Sequence, residues 1–338
     1  MKSTKKNTIF VLLIMCVVFY FLIKDDYKNI LYNLSVANKS LIILGLVFVI
    51  VYYALKARSL HIITREHKKD ISYKAMFNQT LITQFFNGIT PFSTGGQPMQ
   101  IYMLNKTGIN VGVATNIIIQ DFLMYQLALI TIGVFAVLFN LFFHFINISP
   151  EIYALIIAGF TINTIIGVCL LFISFSKRFN DFVGKLIIRV GSKLKIIKNR
   201  EETLKSWEKK LEEFHESASF FKNKKGLFLR CYLYNVIALI AYYIIPFFIF
   251  LSFDPKLAIT IPAVLSCSAF VMLVGNFVPI PGGSGGIEYS FIILFGSFLP
   301  DKLINSTLII WRFMTYYLGV LVGGVALSFF KGSEKKCE

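Results

Sequence analysis

Three ionisable side chains stand in otherwise apolar stretches: Asp121 within residues 113–143, Glu288 just after a run of glycines, and Arg312 within residues 303–330. Each costs roughly 2.5 to 3.5 kcal/mol at the centre of a membrane helix, so each must face a partner or a wet cavity. Asp121 comes about ten residues into its run, about 15 Å along a helix and near the middle of one long enough to span. Two uses of these charges are open. Arg312 can pair with a carboxylate at rest and turn to a phosphate when one arrives, or the pair can be a structural tie that sets helix register.

The backbone beside these charges carries chemistry of its own. Residues 90–98 read Thr90-Pro91-Phe92-Ser93-Thr94-Gly95-Gly96-Gln97-Pro98, and residues 279–286 read Pro279-Ile280-Pro281-Gly282-Gly283-Ser284-Gly285-Gly286. Proline removes an amide donor and glycine frees the dihedrals, so both centres are expected to be non-helical. In hydrocarbon such backbone survives only inside protein or beside a water-filled cavity. A new helix should begin after each centre, with Ser93, Thr94 and Ser284 available as caps and Pro98 suited to a first turn. Where two such starts meet, their unpaired amides and positive dipole ends could hold an anion such as phosphate without a lysine. Alternatively, the glycines merely permit close packing of a broken helix. The substrate-binding candidates are Thr94, Gly95, Gly96 and Gln97 in the first turn, and Gly282, Gly283, Ser284 and Gly285 in the second, with Asp121, Glu288 and Arg312.

Neutral polar residues add a lining. Gln79, Thr83 and Asn87 recur every four residues, Asn116 and Gln120 are one turn apart, and Arg312 shares a face with Thr315 and Tyr316. Stacking at this spacing puts each set on one side of a helix. Such stripes either glue helices together or line a wet path, and spacing does not separate the two. Gly319-x-x-x-Gly323 reads as a tight helix crossing.

The elements that must position these residues are membrane helices. With 56% hydrophobic residues, and apolar runs at 9–23, 41–55, 113–143, 152–175, 227–253, 257–278 and 303–330, little chain is left for a soluble core. The fold expected is an all-α polytopic bundle, one membrane domain over residues 1–338, with two opposed re-entrant hairpins and an inverted repeat pairing Pro91-x-x-Thr94-Gly95-Gly96 with Pro279-x-Pro281-Gly282-Gly283. Lys24, Asp25 and Asp26 follow the first run where a signal cleavage site would need small residues, so that run reads as an uncleaved helix.

The formal charge of +16 is arranged by topology. Three basic residues precede the first run, six lie between Lys56 and Lys74, fourteen between Lys177 and Lys225 and three after Phe330, whereas the alternate loops hold only Lys24, Lys28, Lys39, Lys256 and Lys302. This positive-inside pattern puts both termini and the 56–74 and 177–225 segments in the cytoplasm of a cell-membrane protein, and nucleic acid is not an expected partner. Within 177–225, Phe179, Phe182, Leu186, Val190 and Leu194, then Leu204, Trp207, Leu211 and Phe214, mark two amphipathic helices, with an Asn199/Glu202 capping box. They either lie on the anionic inner leaflet or form a hairpin packed on the other loops.

Several chemistries find no residues. The four histidines and five cysteines are scattered, with no metal spacing or disulfide framework, and no metal or cofactor is expected. Gly282-Gly283-Ser284-Gly285-Gly286 looks superficially like a serine nucleophile elbow but lacks the strand and a placed histidine.

Taken together, Thr90-Pro91-x-x-Thr94-Gly95-Gly96-Gln97, Pro279-x-Pro281-Gly282-Gly283-x-Gly285-x-x-Glu288 and Arg312 resemble the lysylphosphatidylglycerol synthase transmembrane-region family, also called the flippase-like domain family. In full-length synthases of that family a soluble domain transfers lysine from lysyl-tRNA to phosphatidylglycerol. The resemblance implies that this chain moves a phospholipid, anionic or aminoacylated, or a lipid-linked sugar between leaflets without the transferase step. Its partners would be the membrane lipid, a separately encoded synthase or transferase, and a second copy of itself in a homodimer. The competing readings are a phosphatidylglycerol lysyltransferase and a non-transporting scaffold. Family members often carry an acid–arginine pair where this chain has Gln120-Asp121, which implies a different partner network around the first hairpin.

Overall fold

A computed structural model describes residues 27–144, 150–193, 200–222, 224–275 and 278–330. The apolar run at 9–23, Leu194 and the proposed cap Asn199 lie outside them. Among the described residues there is no strand, and the chain is an all-α bundle. Helix α1 (Tyr27–Val36) leads to α2 (Lys39–Arg65), which Asn38 caps by accepting the Ser40 amide. The interrupted pair α3 (Tyr73–Ile89) and α4 (Gly96–Lys106) follows, with a short 3-10 turn, Pro91–Ser93, between them. Next come α5 (Val111–Phe143) and α6 (Pro150–Phe175), then α7 (Lys177–Lys193) and α8 (Arg200–Lys222). Helices α9 (Lys225–Tyr243) and α10 (Ile245–Phe253) are parted where Pro246 removes an amide. The second interrupted pair is α11 (Ile261–Gly275) and α12 (Gly286–Gly296), joined through a 3-10 turn at Pro281–Gly283. The chain ends in α13 (Asp301–Arg312), a π turn at Phe313–Tyr317, and α14 (Leu318–Ser328).

Among the described residues, five stretches are long and apolar enough to cross a membrane: 39–65, 111–143, 150–175, 225–253 and 301–328. The run at 257–278 is not a sixth, because its helix stops at Gly275, before the second glycine turn. Helix α2 is longer than its apolar run suggests. It continues as one helix to Arg65, so Lys56 and Arg58 belong to a spanning element and not to a polar loop.

The larger core gathers α2, α5 and α9 to α13 around Phe250, Phe270, Phe291 and Phe295. Phe291 stacks on Trp311 with ring centroids 4.8 Å apart, and Phe295 packs on Phe291 at 4.6 Å and Phe250 at 5.1 Å. Phe291 lies three residues after Glu288, and Trp311 immediately precedes Arg312, so this apolar stack sets the register in which the charges meet.

The 177–225 segment forms two helices that pack on each other, because a Cβ on Gly184 would collide with the Trp207 indole. Leu211 and Phe214 of α8 are buried, and Gly112 at the start of α5 lies 2.5 Å, measured from a built Cβ, from the Lys210 carbonyl. Helix α8 therefore spends its apolar face inside the protein. Phe182 and Leu186 of α7 remain exposed.

Gly319 and Gly323 lie at helix crossings. A Cβ on Gly323 would collide with the Leu81 carbonyl, backbone that cannot swing aside, and one on Gly319 would meet the Tyr53 hydroxyl. Gly323→Leu is expected to lose roughly 1–3 kcal/mol by overpacking. Gly226→Ala, where nothing stands within 4 Å of a built Cβ, is expected to lose nothing. Denaturant unfolding in detergent compares the two, and equal stability would mean that α14 does not cross α3 at Gly323.

Candidate functional site

The two interrupted segments contain the same turn, displaced by 190 positions. Thr90 and Ile280 are both extended, at φ −117° and −106°. Proline follows at 91 and 281, then two residues at positive φ: Phe92 and Ser93 at 54° and 53°, Gly282 and Gly283 at 66° and 64°. The Ser93 amide donates to the Thr90 carbonyl at 3.2 Å and the Gly283 amide to Ile280 at 2.9 Å. The Thr94 and Ser284 hydroxyls each donate back to the proline carbonyl at 3.1 Å. Helices α4 and α12 then begin at Gly96 and Gly286, and each runs 11 residues. The repeat is thus in a different register from the one the glycine pairs suggest. Gly95-Gly96 corresponds to Gly285-Gly286, and the pair Gly282-Gly283 corresponds to Phe92-Ser93. Glycine meets the left-handed requirement freely in the second turn, whereas in the first a phenylalanine and a serine bear that strain.

The helix starts are capped by Thr90, Asn87 and Glu288, and not by Ser93, Thr94 or Ser284. The Gly95 amide donates to the Thr90 hydroxyl and the Gly96 amide to Asn87 Oδ1, both at 2.9 Å. The Gly285 amide donates to Glu288 Oε2 at 2.6 Å, so a carboxylate of the protein already sits on the positive end of α12. Glu288 Oε1 lies 2.7 Å from Arg312 Nε, with both side chains buried. Arg312 Nη2 donates to the Gly282 carbonyl at 3.1 Å and reaches the Ser284 hydroxyl at 3.4 Å, and the guanidinium lies 4.6 Å over the Tyr316 ring. Neither Arg312 Nε nor Glu288 Oε1 completes a hydrogen bond among the described residues, so their contact is ionic.

The two turns lie against one another. Tyr316 ties them, donating its hydroxyl to the Gly88 carbonyl at 2.9 Å while Gly282 leaves room for its ring. A cavity of about 80 Å³ opens at this junction, walled by Asn87, Gly88 and Ser93 from the first segment, Gly282 and Gly283 from the second, and Tyr242, Arg312, Thr315 and Tyr316. At about 30 Å³ per water it holds two or three waters or one small polar group. The π turn follows Arg312 directly and contains Thr315 and Tyr316, so the helix is widened where it faces the cavity.

The other candidates fall in different places. Thr94 is exposed and Gln97 half-buried. Gln79 donates to the Gln100 carbonyl at 3.1 Å, and Thr83 and Asn87 pack on Gly96, so this stripe joins α3 to α4, with Asn87 alone reaching the cavity wall. Asn116 and Gln120 are wholly buried in α5, and the Gln120 amide has no partner among the described residues. Asp121 is not with Arg312. Its carboxylate accepts the Ser59 hydroxyl at 2.6 Å and lies 3.8 Å from Lys56, whose ammonium donates to Asn235 at 2.8 Å.

Lys56, Ser59, Asn235 and Tyr242 were not singled out by sequence. For Lys56 the available signal was the apolar spacing Val49, Tyr53, Ala57, Leu60, which continues a helical face through it.

The lysylphosphatidylglycerol synthase transmembrane-region model matches residues 8–323. The chain belongs to that family. Membership puts it among multi-pass membrane proteins related to lipid modification or translocation. It is 22% identical to a UPF0104 membrane protein of Archaeoglobus fulgidus over 310 residues, covering 87% of each chain. It is 24% identical to one of Methanocaldococcus jannaschii, over 77% of this chain and 76% of the relative. A third, from Methanothermobacter thermautotrophicus, is 22% identical over 88% and 87%.

Removing one member of a buried ion pair leaves the other uncompensated, so Arg312→Met should cost about 3–5 kcal/mol of stability. The double variant Glu288→Gln, Arg312→Met is expected to regain part of that loss. Unfolding midpoints in detergent test both, and an unaltered midpoint in Arg312→Met would show that the pair does not hold the second turn.

Proposed function

We propose that the protein moves a phospholipid between leaflets, the headgroup phosphate entering the cavity between the turns while the acyl chains stay in lipid. The observation that supports this most is Arg312, a buried cation on the cavity wall with guanidinium donors still available. A phosphate there receives charge-assisted hydrogen bonds from a fork that matches its oxygens. Glu288 serves as the resting anion. When phosphate takes the guanidinium, Glu288 keeps its bond to the Gly285 amide, so neither charge is stranded.

In this reading the two interrupted segments enter the bilayer from opposite faces, as re-entrant hairpins. The basic segments set the orientation, with both termini in the cytoplasm of a cell membrane. The substrate is an anionic or aminoacylated phosphatidylglycerol. Family membership and the abutting turns support translocation. The family's name supports a second reading, lysyl transfer to phosphatidylglycerol.

Purified protein in liposomes is expected to speed the transbilayer exchange of fluorescent phosphatidylglycerol over protein-free vesicles. Arg312→Lys, which keeps the charge but loses the fork, should slow exchange about tenfold or more, given about 1.5–3 kcal/mol for hydrogen bonds to a charged group. Exchange no faster than in protein-free vesicles would sink the translocation reading. New lysyl-lipid in cells expressing the chain would establish the transferase instead.

A further inference from the structure

A second buried ion pair lies outside the turn cavity. Lys56 of α2 and Asp121 of α5 are 3.8 Å apart, with side chains 16% and 9% exposed. Each is held by a neutral group. Ser59 donates to Asp121, Asn235 accepts from Lys56, and the Asn235 amide donates to the Ser59 hydroxyl at 3.0 Å, closing a ring across α2, α5 and α9. The ions are thus in electrostatic contact without being locked in a short bidentate bond. If Asp121 gains a proton, Lys56 still has Asn235. If Lys56 loses one, Asp121 still has Ser59. A buried pair whose members each keep a neutral partner can change its proton count without orphaning a polar group.

The pair is connected to the turn cavity. Lys56 lies 4.5 Å over the Tyr125 ring, and Tyr52, one turn before Lys56, packs on Tyr242 with centroids 4.7 Å apart. Tyr242 forms part of the cavity wall and donates to the Thr315 carbonyl at 3.2 Å, inside the π turn that follows Arg312. Lys56 and Tyr52 share one face of α2, so a shift of that helical turn would reach the cavity through the tilted contact of the Tyr52 and Tyr242 rings. The other titratable groups near the pair among the described residues are Tyr52, Tyr125 and Cys231, whose thiol reaches the Ser59 carbonyl at 4.0 Å, while Arg58 and Arg230 on the same helices are exposed.

We propose that Lys56–Asp121 is a proton-binding site that couples lipid movement to a transmembrane pH gradient. Protonation of Asp121 frees Lys56 from its anion, and this turn of α2 transmits the change through the tilted Tyr52–Tyr242 contact to the walls that hold the headgroup. This rests on the translocation reading above and adds an energy source to it. The proton moves reversibly between water and the Asp121 carboxylate, and no bond to the lipid is made or broken.

The test uses the full chain in liposomes with fluorescent phosphatidylglycerol, a phosphodiester that does not titrate near neutral pH, and with the membrane potential clamped. Coupling to one proton per lipid predicts a steady-state leaflet ratio shifted by up to about tenfold per pH unit. Asp121→Asn should flatten that response toward an even ratio, and so should Lys56→Gln if Asp121→Asn does not fold. Wild-type exchange to an even ratio under the gradient overturns the coupling and leaves translocation standing, as does a full gradient response in Asp121→Asn. No exchange at all overturns both.

Discussion

A backbone that leaves the helix in apolar surroundings must find a partner for every amide and carbonyl it uncovers. In this protein that demand arises twice, at Pro91–Ser93 and Pro281–Gly283, and a small set of polar side chains answers it. Thr90 and Asn87 take the amides of the first turn, and Glu288 takes an amide of the second. Arg312 takes the Gly282 carbonyl, and Tyr316 takes that of Gly88. Thr90, Asn87 and Glu288 are local to the turns they serve, whereas Arg312 and Tyr316 reach in from the last helix and its π turn. The aromatic stack of Phe291 on Trp311 is what holds α12 and α13 in the register these bonds need.

The same demand explains why the buried charges take such different forms. Glu288 and Arg312 are in close contact, and Arg312 is additionally bound to the turn, yet its fork of five donors exceeds what the protein supplies. The surplus is at a cavity wall, which is where a ligand anion could compete. Lys56 and Asp121 are looser and depend on neutral Ser59 and Asn235. One pair is suited to exchanging partners and the other to exchanging protons. Between them Tyr52, one turn before Lys56, touches Tyr242 of the cavity wall.

Much of the architecture is legible from the residues. Helix breaks at Pro91 and Pro281 follow from proline chemistry, and the wide spacing of Gly319 and Gly323 announces a crossing. The amphipathic spacing of residues 177–225 yields two helices, although Leu211 and Phe214 of α8 are buried in the protein while Phe182 and Leu186 of α7 are exposed. The turn repeat was harder to read. Matching glycine to glycine gives one register, and the backbone gives another, because Phe92 and Ser93 adopt dihedrals that composition would assign to glycine. Lys56 was hidden for a related reason. A lysine at the end of an apolar run looks like the start of a loop, and only the continuation of α2 to Arg65 puts it opposite Asp121.

The residues alone determined the membrane class, the all-helical fold, the two interruptions and the short set of charges that must find partners. These follow from the insolubility of polar groups in hydrocarbon, a penalty that each residue carries wherever it sits. Which charge meets which was decided by the tertiary structure, giving Arg312 to Glu288 and Asp121 to a lysine more than sixty positions earlier. Pairing in a low-dielectric interior depends on separations of a few ångströms, and those are set by how helices cross, which spacing along the chain does not encode.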